Sequence, residues 1–403
     1  MAPTETRPGA LAGLRVLDLT TVVMGPYATQ ILGDYGADII KVESPGGDLI
    51  RYPGPSRHAD MGPLFLNTNR NKRSLVLDLK NPEGRAALLE LAKSVDVVVY
   101  NVRPQAMARL RLTYDDFKAV NTGIVYVGAF GFGQAGPYAA RPAFDDVIQA
   151  ASALPNLSAR AYGSGQPAYV PMNVSDRVVG LHLVNAILAA VVAKMRTGTG
   201  QAVEVPMFET MASFVLADHM GWRTFDMNEG EMGYARVMTH YRRPFATKDG
   251  HICIIPYINQ HWHGLLTRLD RPDLLADPRF ASQASRSANI EVVYGFIDEV
   301  APRFSNAEWT DILEALDIPH MPVNTLEGLL QDPHLTSVGL FTRVQHPTEG
   351  EITVIRPTVG MSDTPPQVTR PAPGLGEHSD EVLREAGFSE LRIQQLKDCG
   401  AVK

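Results

Sequence analysis

Cysteine is nearly absent from this 403-residue chain: only Cys253 and Cys399 occur. Two thiols so far apart argue against a disulfide framework or a thiolate metal site, and a reduced, cytoplasmic setting is the expectation. Net positive charge is absent too. A formal charge of −7 argues against a protein that wraps nucleic acid, so a polyanion would need a local basic cluster. The N-terminal stretch "MAPTETRPGALAG" has no apolar core of the kind a signal peptide carries. The longest apolar run, Val178 to Ala193, contains His182 and Asn185. It falls short of the roughly 20 residues that span a bilayer, which predicts a core helix and no membrane partner. No G-x-x-x-x-G-K-[ST] occurs, so nucleoside triphosphate hydrolysis is not suggested.

What is present is an ordinary globular composition, 45% hydrophobic and 20% charged, in a chain long enough for two domains. The first third alternates strands and helices: "LRVLDLT" (14–20), a helix in "MGPYATQILGDYGA" (24–37), "DIIKVES" (38–44) and "RSLVLDL" (73–79). Helix "PEGRAALLELAKS" (82–94), strand "VDVVVYN" (95–101), helix "TYDDFKAVN" (113–121) and strand "GIVYVGAF" (123–130) complete the series. Short β-branched runs separated by such helices predict an α/β fold with a parallel sheet, and functional loops at the carboxyl ends of its strands. The expected division is 1–203, a linker helix over 204–228, a smaller α+β unit over 229–320, and 321–403 as a return segment with a helical tail.

"GFGQAG" (131–136) fits G-x-G-x-x-G but continues into "PYAARPAF" instead of opening a helix. A dinucleotide site needs that helix N-terminus, so nicotinamide and flavin are not expected; the glycines are read as a turn that lets backbone approach a ligand. "NTNRNKRS" (67–74) concentrates Arg70, Lys72 and Arg73 in an otherwise acidic protein, and Lys80, Arg103 and Arg109 follow near strand ends. On spacing alone this is either a solvated face or a site for a phosphorylated cofactor. A third feature is "YVPMNVSDRVVGLHLVNAILAA" (169–190), a nearly apolar helix that opens on Asp176 and Arg177. Asp176 is either an N-terminal charge favoured by the helix dipole or a nucleophile.

Several blocks decide between these alternatives. "LRVLDLTTVVMGPYATQILGDYGADIIKVESPGGD", "NRNKRSLVLDLKNPEGR", "GFGQAGPYAARPAFDDVIQAASAL", "VSDRVVGLH", "KMRTGTGQAVEVPMFE", "DPRF" and "GEHSDEVL" run in order from about residue 10 to the C-terminus. They resemble the class III CoA-transferases, the group of formyl-CoA and carnitine CoA-transferases and α-methylacyl-CoA racemases. The resemblance implies a Rossmann-like large domain with a parallel sheet built from N- and C-terminal parts, an inserted small α+β domain, and an interlocked homodimer. It implies coenzyme A or acyl-CoA as substrate, a carboxylic acid as the other reactant, and no metal. It also identifies Asp176, in x-D-x-x-x-G-x-H with Gly180 and His182, as the nucleophile. Gly180, on the same helical face, is expected to leave room for the acyl group.

Position by position, the resemblance places Val22, Val23 and Met24 near the thioester. Leu77, Asp78, Leu79, Lys80, Asn101, Val102 and Arg103 would line the cofactor, with Arg109 on phosphate. Arg141, Ala143, Phe144 and Asp145 would border the pantetheine arm, and Lys72 and Arg73 would contact phosphate or support the fold. Three departures matter. Phe144 stands where the racemases carry a histidine, which disfavours a two-base racemase. Val23 replaces the glutamine of the formyl-CoA transferases, and residues 226–250 lack their glycine-rich loop. Ser44 stands where relatives place an arginine for the CoA nucleotide, with Arg51 as the expected substitute. The function implied is CoA transfer from an acyl-CoA such as succinyl-CoA to a carboxylic acid. A racemase-like isomerase and a non-catalytic acyl-CoA-binding protein are the alternatives. Tyr234, His240, Tyr241 and Arg242 are candidates for selecting the acid, with Arg242 or Arg243 pairing a distal carboxylate.

Overall fold

Val16, Leu17, Ile39, Ile40, Leu75, Val76, Val97 to Val99, Val125 and Val127 are all buried to within 1%. Side chains hidden on both faces of successive strands require helices above and below a parallel sheet. The structure, a computed structural model, describes residues 8–163 and 165–403; the first seven residues of the stretch read for a signal peptide lie outside them. Among the described residues the main sheet has strands β1 (Arg15–Leu19), β2 (Asp38–Glu43), β3 (Lys72–Val76), β4 (Val97–Tyr100), β5 (Val125–Phe130) and β6 (Ala202–Pro206). Their order is β3-β2-β1-β4-β5-β6 and every pairing is parallel. That is the doubly wound order, reversing direction between β1 and β4.

Three helices position the site: α1 (Met24–Asp34), α2 (Asp145–Ala151) and α3 (Val174–Thr197). With 24 residues, α3 meets the length and composition of a membrane span. Val179, Leu183, Val184, Ile187 and Val191 bury one side of it, where it contacts α1, β5 and β6. Leu181, Val192 and Met195 stay exposed.

Two expectations are corrected. Glu204 does not begin a helix: Ala202–Pro206 is the sixth strand, paired from Tyr126↔Ala202 to Phe130↔Pro206, and the helix starts at Met207. The open edge of β5 offers hydrogen bonds that outweigh local helical preference, and Gly200 admits the close approach. A Cβ there would sit 1.9 Å from Ile124 O. The C-terminal part adds no strand to the parallel sheet. It contributes the antiparallel hairpin Phe341–His346 with Gly350–Ile355, the helices Ser379–Glu385 and Glu390–Asp398, and one isolated bridge, Leu77↔Val402.

The chain forms two compact units. One comprises the described residues through Ser152, Val170–Ser213 and Pro333–Lys403; the other comprises Ala153–Tyr169 and Phe214–Asp332. The second unit holds a three-stranded antiparallel sheet, Phe245–Ala246, His251–Ile254 and His320–Pro322, and a core around Trp262, Phe296 and Trp309.

Candidate active site

Ligands of doubly wound sheets lie outside the carboxyl ends of the strands where the order reverses, here after β1 and β4. The two loops are tied together there. Asn101, after β4, donates from its amide to Thr21 O (2.7 Å) and accepts from Thr21 N (3.0 Å). Asp48 accepts from Val22 N at 3.0 Å and from the buried Lys41 at 2.8 Å. These bonds hold Val22 at φ 68°, a conformation that β-branched residues seldom adopt. Val23 and Met24 are buried, so neither side chain is presented at the surface of this turn.

Asp176 sits in the first turn of α3 with 8% exposure. Its amide donates to Asp145 Oδ2 at 2.9 Å. Asp145 opens α2, and its other oxygen accepts from Gln149 Nε2 at 2.6 Å. The Gln149 carbonyl oxygen in turn accepts from Val170 N at 3.0 Å, pinning the segment that leads into α3. Burial, then the Asp145 charge, push the Asp176 pKa from 3.8 to about 7, and Arg177 only partly opposes them. A helix N-terminus alone would have favoured the carboxylate. Here a second carboxylate occupies the amide that would have stabilised it.

Gly180 corrects another expectation. A Cβ there would lie 3.0 Å from Met24 O and 3.1 Å from Tyr27 Cδ1, so the missing side chain admits α1. His182 is exposed, with Nδ1 3.0 Å from Val178 O.

The basic residues divide sharply. Arg51, fully buried, holds both oxygens of Glu43 at 2.8 and 2.7 Å and lies 3.7 Å over the Phe65 ring, so it cannot replace an arginine at exposed Ser44. Lys72, also fully buried, donates to Asp18 (3.1 Å), Asn69 (2.8 Å) and Pro26 O (2.9 Å). Burial lowers its pKa to about 8. Arg73 is shared by Asp38, Glu381 and Glu385 at 2.7, 2.8 and 2.9 Å. Arg51 and Lys72 are spent in fully buried ion pairs, and Arg73, itself buried, is spent on three partly exposed carboxylates, so all three hold the fold together. Leu77 is buried in the core beside Val402. Asp78 and Leu79 are half-buried, Asp78 accepting from Lys80 N at 3.0 Å.

Lys80, Val102, Arg103, Arg109, Arg141 and Phe144 remain exposed, and Ala143 half-buried. Arg103 reaches Ala140 O at 3.1 Å, and Arg141 stacks 4.0 Å over Tyr138. In "GFGQAG" the glycines admit protein: a Cβ at Gly131 would meet Ala143, and one at Gly133 would meet Glu209, whose carboxylate accepts from Gly133 N at 2.9 Å.

Within the second unit, Arg243 is held by Asp298 at 3.0 and 3.1 Å, and His240 faces Glu291 at 3.2 Å. Tyr234 and Arg242 are exposed, and Tyr241 is half-buried. Sequence reasoning missed Gln149, although its i, i+4 spacing from Asp145 on α2 was a usable signal.

Comparison with known proteins follows from this geometry. The model of "CoA-transferase family III" matches residues 11–379. A succinyl-CoA:mesaconate CoA-transferase of Haloarcula hispanica is 34% identical, over 94% of this chain and 97% of its own. The human succinyl-CoA:glutarate CoA-transferase is 30% identical, over 97% of this chain and 90% of its own. The crystal structure of Rv3272 from Mycobacterium tuberculosis superposes with a TM-score of 0.80 at 30% identity, covering 93% of this chain and 99% of that one.

Proposed function

The chain belongs to CoA-transferase family III, and from that membership we propose that it moves CoA from succinyl-CoA to a carboxylic acid, with Asp176 as nucleophile. In this reading Asp176 attacks the donor thioester carbonyl, and the C–S bond breaks to release CoA thiolate from an aspartyl–acyl anhydride. The thiolate then attacks the aspartyl carbonyl, releasing the donor acid and leaving an aspartyl-CoA thioester. The acceptor carboxylate attacks that thioester, expelling the thiolate again. Attack of the thiolate on the acceptor's acyl carbon gives the new acyl-CoA and restores the Asp176 carboxylate. One difficult exchange becomes a series of acyl transfers, with thioester replacing thioester and no nucleotide consumed.

The observation that carries the reading is the Asp176 carboxyl, buried beside Asp145 with its pKa raised to about 7. Near neutrality it is ionised often enough to attack and more basic than an ordinary carboxylate, while its burial keeps water from the anhydride. Exposed Lys80, Arg103, Arg109 and Arg141 support a phosphate-binding role, and the turn Val22–Met24 with Asn101 supports approach of the thioester end. Phe144, at the start of α2, has no proton to give, which argues against racemisation. The inserted small domain, the interlocked homodimer and a cytoplasmic setting belong to the same proposal, carried over from the resemblance.

The test is trapping. Incubation with succinyl-CoA and hydroxylamine should modify Asp176, read by peptide mass spectrometry, and Asp176→Ala should abolish both the adduct and CoA transfer. Undiminished transfer by Asp176→Ala would sink the mechanism.

A further inference from the structure

A cavity of about 660 Å³ opens between α1, the start of α3 and the chain that follows strand Gly350–Ile355. Ile31, Leu64, Met172, Leu181, Ile355 and Val359 make much of its wall apolar. Three arginines also line it, and two are already committed. Arg70 is gripped by both oxygens of Asp34, at 2.9 and 2.7 Å, and donates to Ile355 O. Arg356 is spent on the carbonyls of Val338 and Pro357. Arg177 differs. Its guanidinium lies 4.3 Å over the Tyr27 ring, and among the described residues no carboxylate or carbonyl accepts its side-chain N–H groups. A half-buried guanidinium with its donors unspent, beside apolar walls, lacks only an anion to complete it.

Its place next to Asp176 says which anion. Consecutive helical side chains point about 100° apart. Asp176 and Gly180 therefore share one side of α3, with Gly180 against Met24 and Tyr27, while Arg177 and Leu181 face Tyr27 and the cavity. Tyr27 is the common wall, its edge at Gly180 and its face under Arg177. Asp176 does not itself line the cavity, but its charge acts on Arg177, so an acid passing beside Tyr27 with one carboxyl group at Asp176 would bring a second carboxylate, a short aliphatic chain away, to Arg177. The cation considered for this role in the second unit, Arg243, is already paired with Asp298.

We propose that Arg177 and this cavity form the subsite for the distal carboxylate of a short aliphatic dicarboxylic acid, and so set the substrate class. The inference rests on the transferase reading and deepens it. A planar fork matches a carboxylate with two hydrogen bonds, which the point charge of lysine cannot reproduce.

The test compares full-length wild type, Arg177→Met and Arg177→Lys with one acyl-CoA donor and a matched acid pair, glutarate and valerate. The ratio of kcat/KM for glutarate over valerate should fall about 30-fold or more in Arg177→Met, through KM, with partial recovery in Arg177→Lys. An unchanged ratio, whatever the absolute loss, overturns the subsite. Glutarate, and not valerate, should also raise the melting temperature of wild type, and this shift should vanish in Arg177→Met. Its absence from wild type overturns the subsite even if transfer proceeds. Failure of the transferase reading shows separately, as an unlabelled Asp176 in a protein that still gives the glutarate shift.

Discussion

At the scale of single residues, the protonation of Asp176 should govern both rate and stability. In the proposed mechanism only its carboxylate attacks, so kcat/KM should rise with pH through about 7. Asp145→Asn removes a like charge while leaving an oxygen to accept from the Asp176 amide. The acid limb should move to lower pH in a pH–rate profile, and the plateau should drop as the nucleophile becomes less basic; an unmoved limb would remove Asp145 from this role. Stability runs the other way. The folded pKa lies above the ordinary 3.8, so the folded state holds this proton more tightly, and stability present below pH 4 is lost as pH rises through about 7. Asp176→Asn, which never ionises, should therefore be more stable than wild type at pH 8 by up to roughly 4 kcal/mol, a gap that urea titrations should see close toward pH 4. The motif made Asp176 legible in the sequence, but not its pKa. A helix start argues for ionisation, and the opposing carboxylate comes from 31 residues away. The burial of Arg51, and the choice between phosphate contact and fold support for Lys72 and Arg73, were not legible for the same reason: charge is visible in sequence, whereas partners at Glu43, Asp18 and Asp38 are not.

At the scale of elements, α2 works as a clasp on α3. Gln149, fully buried, bonds Asp145 on one side and the backbone of Val170 on the other, so the carboxylate at the α3 terminus and the entry segment are fixed by one side chain. Gln149→Leu leaves Asp145 and Val170 N without these partners. The expected cost is about 1–3 kcal/mol in chemical denaturation, with a kcat loss larger than the loss in KM, because the reacting carboxyl is misaligned more than CoA is. A kcat equal to wild type would make the clasp merely structural. The strands and helices of the first third were legible because alternating β-branched runs and helical spacing are local signals. Strand β6 was not, since "AVEVP" becomes a strand through the edge that β5 offers it. Nor was the use of Gly180 and Gly131, whose neighbours Met24 and Ala143 are set by tertiary packing.

At the scale of the whole molecule, the two ends of the chain close one core. Val382, Leu383, Ile393, Leu396, Ala401 and Val402 lie in the same apolar cluster as Leu17, Leu75 and Val98 of the sheet. Asp78 N donates to Ala401 O at 2.9 Å, and Glu381 and Glu385 hold Arg73. The helical tail was legible as helix, but the surface it covers was not, because its apolar residues contact strands some 300 positions earlier. Burying six such side chains contributes roughly 10 kcal/mol, comparable to the entire stability of a typical domain at about 5–15 kcal/mol. A chain ending at His378 should therefore lose cooperative thermal unfolding by circular dichroism, and with it transfer activity. The tail makes no covalent link and supplies no proposed catalytic group, so a peptide spanning residues 379–403 added in trans should restore both, at concentrations set by its affinity for the exposed groove. A truncated chain that melts cooperatively at the wild-type temperature would show that the sheet from β1 to β6 stands without its C-terminal cover, and that the long-range closure argued from these contacts carries little of the fold.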